Sequence, residues 1–103
     1  MGWRLFIDDE REPPVGSGFV VARSVPEAIT LIEARGAPCY ISFDNDLGQE
    51  LEGHHLARWI VRRDMDLGGA FLAEDFDFFV HSQNVPAAAN IDGLLRNYLD
   101  KRA

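Results

Sequence analysis

Leu5-Phe6-Ile7-Asp8-Asp9-Glu10-Arg11 is the stretch on which the fold turns. An apolar run that starts at Trp3 stops abruptly at four charged residues. Such a run reads as a short buried strand that empties into a polar loop, here one carrying Pro13, Pro14 and Gly16. Working outward, Phe19-Val20-Val21-Ala22 repeats the strand signal. Ser24, with Glu27 three residues on and Pro26 in the first turn, predicts a capped helix whose apolar side is Ala28, Ile29, Leu31 and Ile32, stopped by Gly36. Cys39-Tyr40-Ile41-Ser42-Phe43 is a third strand that ends in Asp44-Asn45-Asp46-Leu47-Gly48. Gly53 opens a helix with Leu56, Trp59 and Ile60 on one face, and Gly68-Gly69 closes that region. Phe76-Asp77-Phe78-Phe79-Val80 is a fourth strand, ending in His81-Ser82-Gln83-Asn84. Pro86 starts a last helix with Ile91, Leu94, Leu95, Tyr98 and Leu99 on its inner side.

The alternation predicts an α/β domain over residues 1–103 with a mainly parallel sheet of about four strands and helices on both faces. Short connections and right-handed crossovers favour the strand order 2-1-3-4. The Pro- and Gly-rich segment after strand one predicts that its helix is short or missing. Trp59 and the phenylalanines read as core, Cys39 as buried in strand three, and Arg58, Arg62 and Arg63 as a solvated helix face.

Composition narrows the function classes. A chain of 103 residues, 47% hydrophobic, is long enough for one real core. Apolar runs such as Phe78-Phe79-Val80 fall far short of the ~20 residues of a membrane span. Acids interrupt any leader-like core near the start, and Phe6 stands where an acylation signal after Gly2 wants Ser or Thr. A single cysteine, Cys39, fits a reducing, cytoplasmic setting. Seventeen acids against ten bases give −7, which disfavours duplex DNA as a partner but not a small phosphate held through a cation.

Three apolar runs therefore each end in a polar cluster, and a parallel sheet delivers all three to its carboxyl edge, where such folds bind ligands. Clustered carboxylates repel unless a proton or a hard cation sits between them. Asp8, Asp9 and Asp44, with Asp46 close behind, are the candidates for Mg²⁺ or Mn²⁺. The plainer alternative is that these acids punctuate strand ends and cap helices. His81 can relay a proton or ligate a metal, or simply bond into the sheet end. Ser82 and Asn84 can donate to an anion or cap the last helix. Arg11 can grip phosphate or balance Asp9 and Glu10. His54 and His55, just inside a helix N-terminus, read first as a solvated face.

The pieces Leu5–Arg11, Ser42–Gly48 and Val80–Asn84, taken in order, resemble the cyclic-phosphate processing receiver-like domains, shortened relatives of two-component receivers. The resemblance implies a single-domain, three-layer flavodoxin-like fold. It implies that Asp8 and Asp9 are the metal-holding pair, that Asp44 stands at the phospho-acceptor position, and that Ser82 stands where receivers place Ser or Thr. It departs from receivers in the lysine that follows their fifth strand, since the only lysine here is Lys101 in the tail. The function expected is a metal-dependent phosphoesterase acting on a cyclic phosphate, such as a 2′,3′-cyclic nucleotide or an RNA end. Asp8, Asp9 and Asp44 would hold the ion, Asp46 would orient water, and His81 would act as general acid. Arg11, Ser82 and Asn84 would hold phosphate oxygens. Two alternatives are a non-catalytic module that binds metal and a protein partner through an apolar patch at Leu95, Tyr98 and Leu99, and a degenerate receiver phosphorylated on Asp44.

Overall fold

The computed structural model describes residues 2–102. Its elements run β1 (Arg4–Ile7), β2 (Phe19–Ala22), α1 (Val25–Arg35), β3 (Tyr40–Phe43), α2 (Gly53–Asp66), β4 (Asp77–Val80) and α3 (Val85–Arg102). The four strands form one parallel sheet in the order β2-β1-β3-β4, giving a receiver-like α/β domain. The segment between β1 and β2 carries no helix. Local signals act as read: the Ser24 hydroxyl accepts from the Glu27 amide, and Gly36, at a positive φ of 87°, donates to the Ile32 carbonyl as α1 ends.

Strand alternation sorts the sheet into two faces. Leu5 and Ile7 pair with Ile41 and Phe43, and these with Phe78 and Val80. Around them gather Val25, Ala28 and Ile32 of α1, Leu56 and Ile60 of α2, and Ile91 and Leu95 of α3, in one buried cluster. All three helices thus share a layer, which corrects the expectation of helices on both faces. The cause is directional. The β2-to-β3 and β3-to-β4 connections both step the same way along the sheet, so right-handed crossovers put α1 and α2 on the same side. A helix for the other side would have to come from the β1–β2 connection, which is a loop here.

The opposite face carries Arg4, Phe6, Phe19, Tyr40, Ser42 and Phe79. Arg4 lies over the Phe19 ring at 4.5 Å, and Phe6 meets Phe19 edge-on at 5.7 Å. Phe79 is 57% exposed, so it is not the core residue its composition suggests. Trp59, Phe19 and Phe71 are half-buried, and Cys39 is half-buried just before β3. Arg63 is half-buried too, lying over the Trp59 ring and pairing with Glu33 at 3.1 Å, so only Arg58 and Arg62 keep the solvated reading. On α3, Leu95 is fully buried, Leu99 packs against the core, and the Tyr98 hydroxyl donates to Asp64 at 2.6 Å. The apolar patch imagined there for a protein partner is therefore core and hydrogen bond. No described helix is long and apolar enough to cross a membrane.

Candidate functional site

The parallel ladder continues one step beyond β1, β3 and β4. Asp8 donates its amide to the Ala22 carbonyl, Asp44 to Ile7, and His81 to Phe43, at 2.8–3.1 Å. Those bonds fix the backbone of the residues that leave the sheet, so their side chains meet. Asp8, Asp9 and Asp44 each place one carboxylate oxygen within 4.8 Å of the other two. Asp8 is fully buried and Asp44 is 6% exposed, so the repulsion between them is poorly screened.

The environments of the two buried acids differ. Burial works to raise Asp8, but amides of Arg11 and Glu10 and the His81 ring outweigh it, and its pKa is lowered. Burial, and then the charge of Asp8, push Asp44 up, against smaller lowering contributions from His81, the Asp46 amide and the Ser82 hydroxyl. Asp8 thus gives up its proton more readily than Asp44.

His81 is held at both nitrogens. Nε2 is 2.9 Å from Asp8 Oδ2 and Nδ1 is 2.7 Å from the Ser42 hydroxyl. A neutral ring with its proton on Nε2 satisfies both contacts, donating to Asp8 and accepting from Ser42. Phe6 stacks flat against the imidazole, 4.6 Å between centroids and 8° between planes. Ser42 was not among the residues singled out from the sequence. Its signal was a serine between Ile41 and Phe43 in a central strand, where a polar group needs a partner.

Arg11 reaches the rim, with Nη1 3.4 Å from the His81 carbonyl and Nε 3.9 Å from Asp8 Oδ2. Arg23, also unforeseen, ties the loop down by donating to the carbonyls of Asp8 and Arg11 and pairing with Glu12. Asp46 is exposed, and its Oδ1 accepts from Asn45 at 3.0 Å and Asn84 at 3.2 Å. Asn84 caps α3 through Oδ1, which accepts from the Ala87 amide, the second of the two readings offered for it. Ser82 Oγ accepts from the Asn84 amide. All eight residues proposed from sequence therefore lie along the carboxyl edge of β1, β3 and β4 or in the loops that leave it.

His54 and His55 depart from the solvated-face reading. Both are half-buried at the start of α2. His55 Nδ1 accepts from the Glu52 amide, while Glu52 accepts from the amides of His55 and Leu47, a reciprocal cap. His54 donates its backbone amide to Asn45 Oδ1 and sets its ring Nδ1 3.1 Å from the same oxygen. Burial, then the neighbouring His55 and Arg58, hold His54 below its ordinary pKa. Gly53 makes this docking possible: a Cβ there would sit 2.2 Å from the Asp44 carbonyl oxygen.

A parallel sheet in this order, with an acidic pair after β1 and a buried aspartate after β3, defines a receiver-type domain. The chain matches the family model for the cyclic-phosphate processing receiver domain over residues 3–97, and it belongs to that family. No curated protein and no solved structure matches it.

Proposed function

We propose that this domain is a metal-dependent phosphoesterase that opens a cyclic phosphate. The observation that carries the reading is the convergence of Asp8, Asp9 and Asp44 within 4.8 Å, beside a histidine 2.9 Å from Asp8. An all-carboxylate set suits a hard cation such as Mg²⁺ or Mn²⁺, and Asp44 is pushed up first by burial and then by the charge of Asp8, a repulsion that a cation between the two would relieve. Such an ion supplies charge neutralisation at the phosphate and makes water more acidic.

The protein's own groups do the rest. Asp46 keeps an exposed carboxylate, steadied by two amides, that can take a hydrogen of the attacking water. The water oxygen forms a bond to phosphorus as one ring P–O bond breaks. The leaving oxygen needs a proton, and His81 can give one from Nε2 when its ring carries a proton on both nitrogens, Ser42 accepting at Nδ1, so that the ring is left neutral. Arg11, Ser82 and the Asn84 amide would hold the non-bridging oxygens. A phospho-acceptor role for Asp44 is the weaker reading: Lys101 lies in the last turn of α3, and the described residues contain no fifth strand.

Purified protein with Mn²⁺ or Mg²⁺ and 2′,3′-cyclic nucleotides tests this directly. Wild type should yield a ring-opened monophosphate, and Asp44→Asn should lose both the activity and the heat of metal binding. No turnover of any cyclic phosphate would sink the enzyme reading.

A further inference from the structure

The carboxylate of Asp46 is exposed, yet it is held from two sides, and the holding traces back to backbone groups. Asn45 is buried, and its Oδ1 accepts from the backbone amide of His54 at 3.1 Å. A backbone N–H can only donate, so that contact fixes which end of the Asn45 carboxamide is oxygen. His54 Nδ1 lies 3.1 Å from the same oxygen and must therefore carry the ring proton. Asn45 Nδ2 is then the end that faces Asp46, and it donates to Oδ1 at 3.0 Å. Asn84 repeats the arrangement. Its Oδ1 accepts from the Ala87 amide at 3.1 Å, which leaves Nδ2 to donate to the same Asp46 oxygen at 3.2 Å.

The two backbone donors lie in the first turns of different helices, His54 in α2 and Ala87 in α3. One asparagine thus ties Asp46 to each helix. Among the described residues, every hydrogen bond to the Asp46 side chain falls on Oδ1. A carboxylate oxygen has two lone pairs, so two amide hydrogens fill Oδ1 and leave Oδ2 as the oxygen open to water. Burial, then His55 and Arg58, hold His54 below its ordinary pKa, which keeps the ring neutral near neutral pH with its single proton on Nδ1.

We propose that Asn45 and His54 are positioning residues for Asp46: His54 locks the Asn45 carboxamide, and Asn45, together with Asn84, turns the carboxylate so that Oδ2 takes the proton of the attacking water. The inference rests on the phosphoesterase reading for that water. It adds the reason an exposed carboxylate can serve at one fixed place, and it gives the docking of α2 a share in the rate. In this scheme neither Asn45 nor His54 needs to touch the substrate.

Asn45→Ala removes the tie, and His54→Phe keeps the bulk of the ring without its donor. With Mg²⁺ and adenosine 2′,3′-cyclic phosphate, Asn45→Ala should lower kcat by about 10–100-fold, the usual effect of losing a partner that orients a working group. KM and the heat of Mg²⁺ binding should stay nearly unchanged. His54→Phe should cost at most about tenfold, the worth of one neutral hydrogen bond, because the backbone amide still holds Asn45 Oδ1. On an Asp46→Ala background neither substitution should lower kcat further, since residues that act through one group are not additive. The same loss on both backgrounds overturns the proposal. So does a matching fall in Mg²⁺ affinity, which would mean that Asn45 acts by holding Asp44. Spectra of the wild type give a readout that needs neither substitution nor turnover. Nitrogen-15 signals should place the His54 proton on Nδ1, and the Asn45 side-chain amide signals should move in Asp46→Ala. A His54 proton on Nε2, or Asn45 signals indifferent to Asp46→Ala, overturns the proposal. A protein that opens no cyclic phosphate but shows both signatures keeps the clamp on Asp46 and loses the phosphoesterase. One that opens the ring with undiminished kcat in Asn45→Ala and His54→Phe keeps the phosphoesterase and loses the positioning.

Discussion

His81 is the residue whose surroundings say most about the chemistry. Stacking on Phe6 and two hydrogen bonds leave its ring one orientation, and they put its proton at the acid cluster. If that proton reaches the leaving oxygen, His81→Ala should lower turnover of 2′,3′-cyclic nucleotides by roughly 10²–10⁴-fold. Metal affinity, measured by calorimetry, should change little. A parallel fall in Mg²⁺ affinity would mean instead that His81 acts by holding Asp8. Ser42→Ala tests the support beneath the ring: Nδ1 loses its donor and the proton is free to move there. Turnover should fall by about tenfold, less than for the loss of the ring itself, with a changed ring nitrogen-15 pattern for His81. An unchanged pattern would show that Ser42 does not set the tautomer. Asp8, Asp44 and His81 were legible in the sequence because each directly follows an apolar run, and a parallel sheet sends every such exit to one edge. Ser42 was not, since a hydroxyl inside a strand names no partner until its register against β4 is known.

At the scale of elements, the decisive contact is α2 against the loop after β3. Gly53 donates its amide to the Asn45 carbonyl at 2.9 Å, and its missing side chain lets the helix start against Asp44. Gly53→Ala would force a Cβ to within 2.8 Å of the Asn45 Cα, a backbone clash that no rotamer relieves. A loss of about 1–3 kcal/mol follows from overpacking of this kind, read by chemical denaturation. Weaker Mg²⁺ binding should accompany it, because the displaced loop carries Asp44. Gly93 is the control. It lies inside α3 with open space around its Cβ position, so Gly93→Ala should stabilise by up to about 1 kcal/mol. If both substitutions behave alike, the close approach at Gly53 is not what holds the loop. The role of His54 stayed hidden in the sequence for the same reason, since its partner Asn45 becomes a neighbour only once the helix docks, whereas His55 caps its own helix with Glu52, three residues before it. The helix layer was more accessible than it looked. The order 2-1-3-4 combined with right-handed crossovers already requires α1 and α2 on one face, and the segment that would cover the other is the one too rich in Pro and Gly for a helix.

The whole molecule is closed at the end opposite the acids by a third buried carboxylate with a structural role. Asp64 on α2 is fully buried. Oδ1 accepts from the amides of Phe71 and Leu72 at 3.0 and 2.8 Å, and Oδ2 from the Tyr98 hydroxyl at 2.6 Å. Arg102, 3.3 Å away, also donates to the Leu72 and Ala73 carbonyls. One side chain thus joins α2, the following loop and the end of α3, with partners 34 and 38 residues distant that no local pattern points to. Burial works against the charge of Asp64, but the Leu72 amide, Tyr98 and Arg102 outweigh it and lower its pKa. Tyr98, through its own burial and then Asp64, is pushed up to about 12. A carboxyl with a lowered folded pKa binds its proton more weakly in the folded chain than in the unfolded one. Its stabilisation is therefore complete above the ordinary carboxylate pKa of about 4 and fades as pH falls through the folded value. Asp64→Asn keeps the shape but sets an amide against Tyr98 and Arg102. It should cost about 3 kcal/mol near neutral pH, on the order of 10 °C in Tm. The difference between Asp64→Asn and wild type should hold steady from neutral pH down to about pH 5 and then shrink, because protonated Asp64 resembles the amide. Thermal melts across that range decide it: an offset that persists undiminished into strong acid would mean that shape rather than charge holds α2 to α3.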